Sequence, residues 1–77
     1  MSTYSIVIDG DPTSAWYHTY EDARAALGTI ASHMGMSVDI QGWTRQGPCT
    51  VACSGRFVDV ADDAPMFDVA VMPTEWV

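Results

Sequence analysis

Thr19-Tyr20-Glu21-Asp22-Ala23-Arg24-Ala25-Ala26-Leu27-Gly28-Thr29-Ile30-Ala31-Ser32-His33-Met34-Gly35 is the segment that decides the fold, because it alone carries a start signal, a sustained period and a stop signal together. Thr19 suits an N-cap, Asp22 three residues on completes a capping-box-like pair, and Glu21 adds negative charge at the positive end of the helix dipole. Ala23, Ala26, Leu27, Ile30, Ala31 and Met34 recur on one helical face, while Glu21, Arg24, Ser32 and His33 fall off it. Gly35 fits the left-handed residue that closes a helix, with Met36 folding back on the last turn. A helix of about four turns does not persist alone in water, so its apolar stripe has to be buried against another layer. Most other apolar runs alternate with period two, so that layer is a sheet.

Outward from the helix, Tyr4, Ile6 and Ile8 alternate with Ser5, Val7 and Asp9, and the apolar Val7 marks an inner strand. Gly10 to Ser14 reads as a turn cluster around Pro12. Ala15 to His18 is either a short helical turn capped by Asp11 or a short strand paired back on the first; Trp16-Tyr17 and the extended backbone before a Thr19 cap favour the strand. Beyond the helix, Met36, Val38 and Ile40 alternate with Ser37, Asp39 and Gln41 in a strand running to about Trp43, followed by a turn over Thr44 to Pro48. Cys49 to Val60 reads as strand interrupted at Ser54-Gly55, where a bulge at Gly55 or a tight hairpin reconciles Val51 and Cys53 with Val58 and Val60. Asp62 to Pro65 is a turn, and Phe67, Val69 and Val71 define a last strand that Pro73 ends. Trp76 and Val77, apolar at the end of the chain, are expected to pack on something.

The expected fold is therefore α+β, in a single small domain over residues 1–77. About four mostly antiparallel strands form a sheet with one helix, about 19–34, on one face, in the order β-(β)-α-β-β-β. The other face, carrying some of Tyr4, Trp43, Phe57 or the Phe67 row, is left for water, a second chain or another protein.

Ten acidic residues against Arg24, Arg45 and Arg56, with no lysine, give a net charge of −7. A chain that neutralises phosphates needs clustered basic residues, so direct nucleic-acid binding is disfavoured. The chain is 48% hydrophobic, too apolar for disorder and generous for so small a core. Met1 to Ser5 shows no basic leader, and no run is long enough to span a membrane, so the expected location is cytoplasmic.

Candidate chemistry is sparse. Asp9-Gly10-Asp11 looks like a fragment of a calcium loop, but the further oxygen ligands and closing Glu are absent, and turn formation explains it better. His18, His33, Cys49 and Cys53 do not have the paired spacing of a zinc site. A strand holds the two cysteines about 13 Å apart, beyond disulfide reach, so both thiols are expected to be free. With no nucleophile elbow and no phosphate-cradling loop, neither catalysis nor a cofactor is expected. The aromatic residues remain: part of the set Trp16, Tyr17, Trp43, Phe57 and Trp76 is expected to be a partner-binding anchor, the rest completing the core.

These readings point to a small protein-interaction module. Its partner is an unidentified protein, self-association as a homodimer is expected, and the size and acidity suit a phage or mobile-element regulator or inhibitor of a host protein. The alternative is a DNA mimic, in which the ten carboxylates imitate a phosphate backbone and occupy a nucleic-acid-binding protein.

Overall fold

The computed structural model describes residues 3–77, so Met1 and Ser2 of the segment read for a leader lie outside the described residues. Strands β1 (Tyr4–Ile8) and β2 (Asp11–Tyr17) precede helix α1 (Tyr20–His33), and β3 (Met36–Gln46), β4 (Cys49–Asp59) and β5 (Pro65–Pro73) follow it, with a short 3-10 turn at Thr74–Trp76. The strands form one five-stranded sheet in the order β2-β1-β5-β4-β3, every pairing antiparallel. The class is α+β as expected, with five strands rather than about four.

The fifth strand is the optional one, and it is longer than Ala15 to His18. The turn before it shrinks to Asp9-Gly10, whose φ values of 52° and 82° fit the two-residue hairpin geometry that requires positive φ at both positions. Pro12, read as a breaker, sits inside β2 opposite Val7. It is tolerated because β2 is an edge strand, and a register irregularity loosens the same pairing. The third strand likewise outruns its expected end, because Gly47 at φ 60° lets Gly47-Pro48 alone close the hairpin between Gln46 and Cys49.

Helix α1 is bounded as the sequence dictates. Thr19 Oγ1 accepts the Asp22 amide at 3.0 Å, and Gly35 adopts φ 71° just past the C-cap. Ala23, Leu27 and Ala31 are buried on the sheet, with Ala26 and Ile30 packed beside them; Met34, expected on the stripe, is instead 44% exposed at the C-cap. Against the helix pack Ile6 from β1, Phe57 and Cys53 from β4, and Val69 and Val71 from β5. Tyr4 and Phe67 join them, so Tyr4, Phe57 and Phe67 belong to the helix side of the sheet, not to the face left open.

Strand β4 is continuous, and neither interruption considered for Ser54-Gly55 occurs within it. The extra residue is Gln41 on the neighbouring strand, between the pairs Ile40–Gly55 and Gly42–Ser54. The cause is at Gly55, where a Cβ would run into the Asp39 carbonyl oxygen and come within 2.9 Å of Ile40 Cα. Glycine lets β3 cross β4 closely, and β3 accommodates the approach by bulging.

Candidate interaction face

Residues opposite one another on a ladder share a face. One cross-strand row on the helix-free face runs Pro12, Val7, Ala70, Ser54, Gly42 and so touches all five strands. It is a row of small side chains, and a Cβ at Gly42 would lie only 3.3 Å from Ser54 Oγ. On one side of it lies an apolar row in which Trp16 and Met72 both pair with Ser5, and Ala52 pairs with Thr44. On the other side Asp39, Arg56 and Asp68 pair in sequence, giving a negative, positive, negative row across β3, β4 and β5.

Three shallow depressions join along this face. The first, about 340 Å³, has Ala52, Ser54 and Ala70 on its floor and Trp43 and Trp76 among its lining residues. It shares Ser54 and Ala70 with the second, about 300 Å³, which shares Arg56 and Asp68 with a third of about 270 Å³ reaching Asp9. The result is one trough along β4 and β5, apolar at the Trp76 end and charged at the other.

The end of the chain closes the apolar end of the trough. Thr74 donates its amide to the Thr3 carbonyl at 2.8 Å, while its hydroxyl lies 2.8 Å from Thr3 Oγ1 and 2.9 Å from Ser5 Oγ. Those hydroxyl bonds satisfy Ser5, a buried polar side chain, and fix where Trp76 stands. Trp76 and Val77, expected to pack on something, are 54% and 53% exposed, and Trp76 lines the depression with Ala52 and Met72.

The five aromatic candidates separate. Trp16, Trp43 and Trp76 are each more than half exposed. Trp16 lies over the open side with His18 edge-on to it, ring centroids 5.2 Å apart. Trp43 pairs with Cys53 at the β3 edge, the parity of the helix side. Tyr17 is half-buried against the core, and Phe57 is fully buried, out of reach of any partner in this fold. Sequence reasoning missed Arg56 and the small residues Ala52, Ser54 and Ala70; their shared odd-even parity was visible, but its significance needed the strand order.

The other candidates fall into structural roles. Asp9 forms the hairpin turn and its Oδ1 accepts the Asp68 amide at 3.0 Å. Asp59 caps the β4–β5 turn by accepting the Ala61 amide at 2.8 Å. Both cysteines are free, Cys49 exposed and Cys53 buried. Among the described residues no cluster of three or more His, Cys, Asp or Glu is placed to hold a metal ion, and no helix is long and apolar enough to cross a membrane. Tyr20, beneath the helix start, has its hydroxyl pushed up to about 12, first by burial and then by its hydrogen bond with Cys53. Compared with known proteins, the chain matches no family model, no curated protein and no solved structure.

Proposed function

We propose that this chain is a protein-binding module that docks through the helix-free face of its sheet, acting on its partner by occupancy rather than by chemistry. The observation that carries the proposal is the trough itself: a floor of small residues, an exposed tryptophan held at one end, and an unevenly charged row at the other. Interfaces draw most of their affinity from a few aromatic and arginine anchors next to surface that a partner can approach closely. Trp76 and Arg56 are such anchors. The chain's acidity fits a regulator or inhibitor, from a phage or mobile element, that blocks a host protein in the cytoplasm.

The DNA-mimic alternative needs a run of carboxylates at phosphate-like spacing. On this sheet Arg56 stands between Asp39 and Asp68, and Asp9 and Asp59 are engaged in turns. Docking through the open face is therefore the better-supported reading.

Capture from native lysate with tagged wild type, a Trp76→Ala/Arg56→Glu variant and an Arg24→Glu helix control, read by mass spectrometry, tests it. Proteins retained by wild type and the helix control but lost from the face variant support the proposal. Identical sets from all three would remove the face from the function. Retention that collapses between about 0.1 and 0.5 M salt while ignoring Trp76 would turn the reading toward mimicry.

A further inference from the structure

We infer that the open face is self-complementary and that its occupant is a second copy of this chain, stacked sheet to sheet about a two-fold axis that runs along the strands between β4 and β5. The inference rests on the reading of that face as the docking surface, and it adds the partner and the register.

The charged row supplies the first reason. It reads Asp39, Arg56, Asp68 across three adjacent strands. An axis between β4 and β5 exchanges those two strands between subunits while keeping each row at its own level. Arg56 then meets the partner's Asp68, and Asp68 meets the partner's Arg56. One contact made twice is the hallmark of an isologous interface. The helix-covered side cannot offer this, since its matching positions are the apolar Phe57 and Phe67.

Steric fit supplies the second. The same operation lays β4 on the partner's β5 and β1 on the partner's β3. The next row pairs Ser54 with the partner's Ala70, and the row beyond it sets Met72 on the partner's Ala52. Small residues face small ones at the centre, so the two sheets can approach to the usual ~10 Å there; at the Met72 end Trp76 lines the same depression as Ala52 and has to lie between the sheets or swing aside.

The net charge of −7 opposes association less than it first suggests. Glu21 and Asp22 lie in the first turn of the helix, and Asp59, Asp62 and Asp63 lie at or beyond the end of β4. The charged side chains of the central strands on the face are Arg56 and Asp68. The same operation brings Asp39 to the level of the partner's Asp9, a like-charge pair made twice, but it lies at the rim, where water and salt screen it. The four strands that overlap under this operation, at about 4.8 Å spacing and about 20 Å long, offer on the order of 400 Å² per subunit, the size of a weak, transient interface. Dissociation is therefore expected at micromolar concentrations, within reach of an equilibrium experiment.

The test is a charge exchange followed by sedimentation velocity from about 1 to about 500 µM. Wild type should move from the 8.4 kDa monomer toward twice that mass as concentration rises. Arg56→Asp sets like charges against each other in both reciprocal contacts, as does Asp68→Arg, so each alone should stay monomeric with an unchanged far-UV circular dichroism spectrum. An equimolar mixture of the two restores both contacts with opposite signs and should recover the heavier species. Met72→Lys, which leaves the charged row intact, should also be monomeric; it serves as the second probe if a charge variant folds poorly. A wild-type chain that stays at 8.4 kDa throughout, or variants that associate as well as wild type, would overturn the inference. If wild type is monomeric while lysate capture still depends on Trp76 and Arg56, self-association alone fails and the docking face stands.

Discussion

The two faces of this sheet are cut from the same strands and differ only in the parity of the residues they present. On the helix side stand Ile6, Phe57 and Val71, fully buried under Leu27. One residue along each strand, the other side presents Ser5 or Val7, Arg56, and Ala70 or Met72. A helix of this length covers one face of a five-stranded sheet, and the large side chains have gone to the covered one. Stability is thus concentrated on one face, and the other is spared most of the packing demand. Substitutions should separate the two.

The largest effects are expected on the covered face. Phe57→Ala should lower stability by about 3–5 kcal/mol and Leu27→Ala by about 2–5 kcal/mol, since each removes a side chain with no exposure. Ala70→Ser on the open face should stay within about 0.5 kcal/mol. Urea denaturation of all three at a concentration that keeps the chain monomeric is the measurement. A Leu27→Ala midpoint equal to wild type would mean that the two faces do not differ in the way proposed.

Gly55 probes the covered face where it is thinnest, for there the β3 backbone occupies the space of a side chain. Gly55→Ala should cost about 1–3 kcal/mol, because the new Cβ meets the Asp39 carbonyl and the Ile40 backbone and must push β3 away. Hydrogen exchange gives a sharper signature, since the amides that pair β3 with β4 near Ile40 and Gly42 should lose protection before those that pair β1 with β5. Uniform loss across the sheet would mean that the close crossing is not what fixes β3.

A smaller effect is expected at the helix cap, which acts on the covering layer alone. Thr19→Ala removes the hydroxyl that accepts the Asp22 amide and should cost about 1 kcal/mol. Thr19→Asn should recover most of it. If the denaturation midpoint ignores both, the cap geometry does not matter to the fold.

Helix α1 was legible in the sequence almost to the residue, because its signals are local: a hydroxyl three residues before the amide it caps, a recurrent stripe and a glycine at the end. The strands were legible as strands, but their ends were not. Pro12 and Thr44 look like breakers until the strand order shows that β2 and β3 are both edge strands, where a missing donor or a longer overhang is tolerated. The bulge was anticipated from the change of parity around Gly55, yet it falls on Gln41, because a glycine transmits its lack of a side chain to the strand that crosses it. Assigning Phe57 to a partner failed for a related reason. Parity fixes which residues share a face, but only the helix contacts decide which face is covered. Arg56 between two aspartates was invisible for want of register, since three residues from three strands become one row only after pairing.

The smallest effect at neutral pH should come from Tyr20, and it grows only in alkali. Its hydroxyl lies between helix and sheet, raised to about 12 by burial first and by the hydrogen bond with Cys53 second. A tyrosine in the unfolded chain loses its proton near pH 10, so between about 10 and 12 the folded state holds a proton that the unfolded state has released. Stability falls wherever the folded state binds more protons, so the contribution is intact below about pH 10 and is lost as pH rises through about 12. Denaturation midpoints followed from pH 8 to the alkaline limit should decline over that interval, and Tyr20→Phe should flatten the decline while changing little at pH 8. Trp16→Ala, on the open face, should leave the slope as it is in wild type. A Tyr20→Phe profile parallel to wild type would mean that the hydroxyl is solvated, and that the covered face is wetter beneath the helix start than its neighbours Ile6 and Leu27 imply.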